Sequence, residues 1–406
     1  MSNIKNLNFN KISTLLYLFF IVLVFFPWVS FRTNSMDTQP WIFIFGSMFI
    51  WIFIKHQKDF SLLLFFLLLP IISQFIAILF GSDFDLTLFL RGFAAYSIFI
   101  YVYIIQKNNL SLYSNFYKLI FIINLLYLFV GIVQLMVSPL FFDWIVVGRM
   151  SESRGVSSLS PEPTSFGLFL LILSVVHLVS INRYNKKKVL FIIFLNVVFI
   201  LFIAQSTTAS LYLLVAIVML TFSRVNIIIT LLMSISGGAG ILYLLLYGDS
   251  RISTIFTSII NGEFFNSFLL DESIFDRIMA TIYPFVSFYE NLFIPGGFYL
   301  SSSLRPVDMS WIDSSLGYYH TGDKIMSLWG GVIAETGIIG FFMLFFIIII
   351  LVRKIKLLPK MMRMEYYFIF IFIFLLGFSS ISLSLAPIPF VVALIISKID
   401  RSIKYV

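Results

Sequence analysis

Residues 341–352 read FFMLFFIIIILV, an unbroken run of apolar side chains, and the run ISTLLYLFFIVLVFF at 12–26 is almost as apolar. Runs of this kind are typical of helices that cross hydrocarbon, which takes about 20 residues at about 1.5 Å each. The composition of the whole chain also indicates a membrane protein. Of its 406 residues, 60% are hydrophobic and only 11% are charged, with a mean hydropathy of +1.03. A soluble domain carries about 25% charged residues, so the sequence predicts an all-α integral membrane protein.

The apolar segments predict one polytopic membrane domain, 1–406, with about 12 transmembrane helices. The first apolar run is expected to remain as a helix, because it is too long for the core of a signal peptide and lacks a small-residue cleavage site. The predicted helices lie near 12–31, 40–54, 60–80, 88–106, 118–138, 165–181, 188–205, 208–222, 225–247, 327–352, 366–379 and 383–397.

Basic and acidic residues are separated along the chain. If the N-terminus is cytoplasmic, most of the 27 Lys and Arg residues fall in alternate, short loops, whereas only Asp59, Glu365 and Asp400 do so among the acids. Short loops rich in Lys and Arg stay in the cytoplasm, so both termini are predicted to be cytoplasmic. The net charge of +8 then reflects orientation and contact with anionic membrane lipid, and nucleic acid is not an expected partner.

Two segments on the predicted outer side are too long to be simple connections. Residues 139–164 (PLFFDWIVVGRMSESRGVSSLSPEPT) are the first predicted periplasmic loop, and residues 248–326 are the second, larger one. Apolar residues at helical spacing within 252–259 and 274–282 predict amphipathic helices that lie on the bilayer or cap the bundle. The chain has no Cys and no zinc-type spacing, so no metal site and no cofactor are predicted.

Arginines stand out on this outer side, because acids outnumber bases there. Arg149 and Arg154 lie in the first loop and Arg277 lies in the second. A guanidinium keeps its charge and binds phosphate through two parallel hydrogen bonds, so these three residues are candidates for binding a diphosphate. The alternative is that each pairs with a neighbouring acid.

Three more charged residues are secondary candidates. Arg91, in LFLRGFAAY, lies near the outer end of a predicted helix, where a charge is costly unless it reaches the interface or faces a cavity. Arg305 lies in the larger loop. Glu335, in GVIAETGIIG, lies inside a predicted membrane helix, and an intramembrane carboxylate is commonly functional, although pairing with Arg91 is an alternative role for it.

Two residues are candidate catalytic acids or bases. Glu162, in SPEPTSFG, is held between two prolines before a helix, which suits a base or an acceptor for a sugar hydroxyl. Its alternative role is to complement the positive end of that helix. His320, in GYYHTGDK, titrates near neutrality and is the only histidine on the predicted outer side, since His56 and His177 fall on the cytoplasmic side.

The segments RGVSSLSPEPTSFG (154–167) and AETGIIGFF (334–342), together with one short and one long outer loop, resemble the O-antigen polymerases (Wzy-type). These share a superfamily with the O-antigen ligases. Arg149, Arg154 and Arg277 match the family's periplasmic arginines that are thought to bind diphosphates. The spacing departs from some members, because Gly167 and Gly296 follow their arginines at greater distances.

The resemblance implies a bundle related to the GT-C glycosyltransferases in the bacterial inner membrane. It also implies substrates that are undecaprenyl-diphosphate-linked oligosaccharides, joined at the periplasmic face without a metal or a nucleotide sugar. A chain-length-determining co-polymerase is an implied partner. Departure of the lipid diphosphate builds negative charge that fixed cations stabilise, and Glu162 or His320 would take the proton of the acceptor hydroxyl.

Two alternatives to a polymerase stay open. His320, Thr321 and Gly331 approach, but do not complete, the motif of the ligases, which transfer glycan to a lipid A core. A flippase for lipid-linked oligosaccharide would have a similar number of helices. The scarcity of charges inside the predicted helices and the length of 248–326 favour an enzyme over a flippase.

Overall fold

The computed structural model is almost entirely α-helical. The residues it describes are 2–30, 39–109, 113–146, 155–180, 186–223, 272–298, 307–308, 318–319, 327–379 and 382–404. The predicted helix at 225–247, residues 147–154 of the first predicted loop and much of 248–326 lie outside them.

Most of the helices coincide with apolar segments of the sequence, and one, Glu272–Glu290, lies within the larger predicted loop. In chain order they are α1 (Ser2–Phe25), α2 (Trp41–Phe53), α3 (Gln57–Leu79), α4 (Leu86–Asn108), α5 (Tyr113–Met136), α6 (Pro163–Ser180), α7 (Lys186–Val198), α8 (Thr207–Ser223), α9 (Glu272–Glu290), α10 (Leu328–Lys356), α11 (Lys360–Leu376) and α12 (Pro387–Lys404). A π-helical turn, Phe199–Ile203, continues α7. Two short strands, β1 (Val307–Asp308) and β2 (Tyr318–Tyr319), pair antiparallel.

Five of the described helices are long and apolar enough to cross a membrane, which makes the chain a multi-pass helical membrane protein. They span Gln57–Leu79, Leu86–Asn108, Phe116–Met136, Pro163–Ser180 and Leu328–Lys356. Shorter apolar helical segments cover Ile12–Phe25, Trp41–Phe53 and Thr207–Met219. The surface has the character expected of a lipid-facing bundle, since many large apolar side chains are exposed on it.

The helices α6 and α12 occupy the centre of the bundle. Nearly every residue of α6 is buried, and α12 packs against α4, α6 and α10. The ring of Phe390 in α12 lies edge-on to Phe25 of α1 at 5.1 Å and to Phe116 of α5 at 6.1 Å. Aromatic rings at this spacing add about 0.5–1.5 kcal/mol per pair to the burial of their area, so this contact joins three helices far apart in sequence.

The two ends of the bundle differ in character. We call one end the loop face; the irregular segment 137–146 lies there, and the irregular segments 155–162 and 291–298 lie in the adjoining half of the bundle. We call the other the lysine face; it holds the connections at 54–56 and 357–359 and the end of α12. The predicted cytoplasmic lysines lie at the lysine face, so the predicted outer side corresponds to the loop face.

A buried ion pair ties the helices together at the lysine face. Asp59, at the start of α3, is fully buried and accepts from Lys107 Nζ at 2.9 Å and from Asn108 Nδ2 at 2.8 Å. The same amide of Asn108 donates to the carbonyl oxygen of Phe53 at 2.9 Å. The buried carboxylate therefore joins α3 to α4, and Asn108 joins α4 to the end of α2. Burial of the carboxylate is tolerated because it is paired.

Candidate functional site

A buried, non-helical stretch at the loop face, 155–162 (GVSSLSPE), leads into α6; we call it the serine segment. Ser157, Ser158 and Ser160 are almost fully buried. Irregular backbone inside a membrane bundle needs internal partners for its polar groups. The N–H of Ser158 donates to Gln134 Oε1 at 2.6 Å, and the hydroxyl of Ser158 donates to the carbonyl of Tyr127 at 2.7 Å. Helix α5 thus holds the segment in place through the side chain of Gln134 and the carbonyl of Tyr127.

The other side of the serine segment rests on the π-helical turn. The N–H of Val156 donates to the carbonyl of Ile203 at 3.1 Å. A Cβ atom at Gly155 would overlap the carbonyl oxygens of Ile203 and Ala204, so only glycine permits this approach. The π-helical turn at the end of α7 thus supplies the acceptor that fixes the start of the segment.

Glu162 is the last residue of the serine segment and caps α6. Its carbonyl accepts from the N–H of Phe166 at 3.0 Å and from the hydroxyl of Ser160 at 3.2 Å. Pro163 begins the helix, as its fixed φ favours, and the side chain of Glu162 is partly exposed. The carboxylate therefore lies at the positive end of a buried helix, on rigid backbone, with access from outside the bundle. This arrangement suits both of the roles predicted for it.

The second carboxylate of interest, Glu335, lies where helix α10 is broken. Gly337 has φ 59° and ψ −141°, a backbone conformation essentially restricted to glycine. The sequence predicts an unbroken helix over 327–352, and this break was not foreseen. Glu335 accepts a hydrogen bond from the hydroxyl of Tyr96 in α4 at 3.2 Å. Arg91 is exposed on α4, and among the described residues no ion pair joins it to Glu335.

The break in α10 is filled by residues 293–298 (FIPGGF), which we call the PGG segment. The N–H groups of Gly296 and Gly297 donate to the carbonyls of Ala334 and Glu335 at 2.8 and 3.1 Å, and the N–H of Ile338 donates to the carbonyl of Phe293 at 3.0 Å. These bonds replace the helical ladder that the break interrupts. Non-helical backbone at membrane depth is tolerated when protein groups satisfy it in this way.

The PGG segment also contacts α3 and α4. The N–H of Phe298 donates to Gln74 Oε1 in α3 at 2.9 Å. The ring of Phe298 lies where a Cβ of Gly92 would be and meets the ring of Tyr96 edge-on at 5.9 Å. Tyr96, which donates to Glu335, is therefore packed against the PGG segment.

No protein-family model, curated protein or solved structure matches this chain. The resemblance to O-antigen polymerases therefore stays a prediction that rests on the residues themselves. The two glycines named with that resemblance both lie at close approaches. Gly167 allows α6 to pack against Ala209 of α8, because a Cβ at this position would lie 2.6 Å from the alanine Cβ. The N–H of Gly296 donates to the carbonyl of Ala334 at the break in α10.

Several predicted site residues lie outside the described residues: Arg149, Arg154, Arg305 and His320. Arg277 lies in the first half of α9, which packs against α10, but its side chain is also outside them. Of the predicted residues that are described, Glu162 and Glu335 lie in the half of the bundle nearer the loop face, on separate supporting segments. Within the described part of the chain, no group of three or more His, Cys, Asp or Glu residues could hold a metal ion.

The structure also contains a polar cluster inside the membrane bundle that the sequence analysis does not predict. Asn124 of α5 and Asn196 of α7 exchange amide hydrogen bonds of 2.8 and 3.0 Å. Asn196 also donates to Ser174 Oγ of α6 at 3.0 Å, and His177 Nε2 lies 3.1 Å from Asn124 Oδ1. The signal was single polar residues within apolar helices, which usually face one another.

Proposed function

We propose that this protein polymerises lipid-linked oligosaccharide repeat units by glycosyl transfer at the loop face, as a membrane glycosyltransferase of the O-antigen polymerase type. The donor is a glycan on undecaprenyl diphosphate, and the acceptor is a hydroxyl of the next lipid-linked repeat unit. The proposal includes the bacterial inner membrane, cytoplasmic termini, about 12 helices, a GT-C-related bundle and a co-polymerase that sets chain length.

The observation that carries the proposal is the serine segment. Five hydrogen bonds and the close approach of Gly155 to the π-helical turn, all described above, fix its backbone, and it presents Glu162 at the start of α6. Arg149 and Arg154 directly precede it in the sequence. A carboxylate on fixed backbone, in the same loop of the sequence as candidate phosphate-binding cations, is the combination that glycosyl transfer from a diphosphate needs.

The chemistry assigns a role to each of these groups. The bond between the anomeric carbon of the donor glycan and its diphosphate oxygen breaks, and the diphosphate leaves with the bonding electrons. The anomeric carbon forms a new bond to the acceptor hydroxyl oxygen, and the hydroxyl proton passes to Glu162 or His320. Arg149, Arg154 and Arg277 stabilise the charge that builds on the leaving diphosphate.

The test uses purified protein in liposomes that contain only lipid-linked repeat units. The unaltered protein should build a ladder of longer glycans without any nucleotide sugar. Arg154→Ala and Arg277→Ala should abolish the ladder. Glu162→Gln should slow it by at least about 100-fold, the usual contribution of a positioned base, whereas Glu290→Gln, at an exposed position of α9, should leave it unchanged.

Two results would contradict the proposal in different ways. A normal ladder from the three site variants would show that Arg154, Arg277 and Glu162 do not have the roles assigned to them. The absence of any ladder from the unaltered protein, with transfer only after a lipid A core is added, would identify a ligase instead.

A second candidate function, translocation of lipid-linked oligosaccharide, is favoured by the broken helix α10. Discontinuous membrane helices form the substrate sites of many transporters, and Glu335 lies at such a break. The same liposomes distinguish the two functions, because a flippase would move intact repeat units between leaflets and build no ladder.

A further inference from the structure

A buried glutamine near the loop-face end of α5, Gln134, contacts both described parts of the first predicted periplasmic loop. It is 3% exposed and lies two residues before the helix ends at Met136. Its Nε2 donates to the carbonyl of Phe141 at 2.9 Å and to the carbonyl of Ser158 at 3.2 Å, and its Oε1 accepts from the N–H of Ser158 at 2.6 Å. One side chain therefore joins the start of this loop to the serine segment near its end.

The amide of Gln134 serves the loop and not its own helix. Helix α5 satisfies its backbone by itself, and an unpaired amide inside a membrane bundle is costly. The two N–H groups and the oxygen of this amide are all used, and the three described partners are backbone groups of irregular segments. Glutamate would offer no donor here, and asparagine is shorter by one methylene. The two segments that Gln134 joins thus explain why a glutamine occupies this position.

The backbone is strained close to both points where the amide binds. Ser158 has φ 53°, and Phe142, which follows Phe141, has φ 77°. Residues other than glycine are rare in this left-handed region, and they stay there only where surrounding contacts impose it. Without Gln134, Ser158 would lose the hydrogen bonds of both its N–H and its carbonyl to this amide. The backbone conformation of Ser158 therefore depends on this side chain.

Hydrogen bonds continue from Ser158 to Glu162. The neighbouring carbonyl, that of Ser157, accepts from the hydroxyl of Ser160 at 2.5 Å and from its N–H at 3.2 Å. The same hydroxyl donates to the carbonyl of Glu162 at 3.2 Å. Prolines flank Glu162 on both sides and fix their own φ angles. A shift of Ser158 is therefore transmitted to Glu162, because the backbone between them has little freedom to absorb it.

We propose that Gln134 is a positioning residue for glycosyl transfer: its amide fixes the serine segment against the start of the loop and so places the carboxylate of Glu162. The inference rests on the proposed function for the role of Glu162, and on the hydrogen bonds of Gln134 for the positioning. Gln134 acts on backbone groups, so its loss should slow the chemical step and leave substrate binding nearly unchanged. A displacement of about 1 Å is enough to cost about 100-fold in rate.

The first experiment measures kcat and KM for ladder growth in liposomes that contain lipid-linked repeat units. Gln134→Leu should lower kcat by about 100-fold and leave KM nearly unchanged. The control is Gln106→Leu, which should change neither constant. Gln106 is also a fully buried glutamine and accepts from the hydroxyl of Tyr17 at 2.6 Å, but it lies in the last turn of α4, at the lysine face. An unchanged kcat in Gln134→Leu, equal losses in the two variants, or a loss expressed only in KM would overturn the proposal.

The second experiment tests whether Gln134 acts through Glu162. In a protein that already carries Glu162→Gln, Gln134→Leu should lose most of its effect on kcat, because residues that act as a unit have strongly non-additive effects. Losses that multiply in the double variant would show that the two residues act independently, and the positioning role would then be wrong.

A third measurement does not depend on glycan transfer. Hydrogen exchange of the peptide that contains Ser158 should be faster by about tenfold in Gln134→Leu, because the N–H loses its acceptor, and unchanged in Gln106→Leu. Faster exchange in a protein whose unaltered form builds no ladder would retain Gln134 as the anchor of the serine segment and reject the proposed function. Unchanged exchange in Gln134→Leu, in a protein whose unaltered form builds a ladder, would retain the function and reject the inference.

Discussion

Replacing Gly337 by alanine tests whether the break in α10 is a fixed part of the fold. At φ 59° and ψ −141° an alanine is strained by about 1–3 kcal/mol. Its Cβ would also lie 2.5 Å from the backbone N of Pro295 and 2.8 Å from the carbonyl oxygen of Phe293. Both neighbours are backbone or ring atoms of the PGG segment, so the whole segment has to move.

The hydrogen bonds of the segment set the size of the effect. Movement of the PGG segment would break its three backbone hydrogen bonds to α10. Each of them contributes a net stabilisation of about 1 kcal/mol. Together with the backbone strain, Gly337→Ala should lower the free energy of unfolding by about 4–6 kcal/mol. Gly331→Ala is the matched control on the same helix, because nothing lies within 4 Å of its added Cβ. It should stabilise the protein slightly, by up to about 1 kcal/mol of helix propensity.

The measurement is unfolding of the purified variants by SDS in mixed micelles, followed by circular dichroism and tryptophan fluorescence. Gly337→Ala should unfold at a much lower SDS fraction than Gly331→Ala. Equal transitions for the two variants would refute the reasoning, because they would mean that α10 closes over the break at no cost.

Three further substitutions test individual contacts by the same titration. Glu335→Gln keeps an acceptor for the Tyr96 hydroxyl and should change the free energy of unfolding by no more than about 1 kcal/mol. Its effect on the glycan ladder then measures the contribution of the negative charge alone. An unchanged ladder would show that Glu335 contributes only to packing. Asn196→Leu removes an amide with several buried partners and should cost about 1–3 kcal/mol, so unaltered stability would show that the polar cluster contributes nothing. Lys107→Met leaves the buried carboxylate of Asp59 without its cation and should cost about 3–5 kcal/mol. Adding Asp59→Asn should recover part of that loss, and a double variant no more stable than the single one would argue against the ion pair.

The positions of the helices were predictable because each depends on a local property. An apolar run such as 341–352 has to be helical in hydrocarbon, since no other single segment satisfies its own backbone there. The far end of α12 was not predictable by hydropathy, because Lys398, Asp400 and Arg401 ended the predicted helix at 397. In the structure Asp400 pairs with Lys354 of α10, a contact between residues distant in sequence, and the helix continues to Lys404.

The candidate site was predictable only in part, because its supporting contacts also join residues distant in sequence. Glu162 is predicted because two prolines flank it at the start of a helix, and Glu335 because it is a carboxylate within an apolar segment. The supports that fix them are not predicted, because Gln134, Tyr96 and the PGG segment come from other parts of the chain. The break at Gly337 had no local signal, since a glycine inside a membrane helix is ordinary, and only the approach of Pro295 explains it.

The way in which α10 obtains its hydrogen bonds bears on how the protein is made. The acceptors and donors at its break are completed by Phe293, Gly296 and Gly297, which the ribosome delivers before α10 begins. A nascent α10 that entered the lipid alone would expose those groups to hydrocarbon, where each costs several kcal/mol, or would close into a straight helix. The PGG segment and α10 should therefore enter the membrane as a single unit during synthesis, and the insertion machinery has to accommodate both at once.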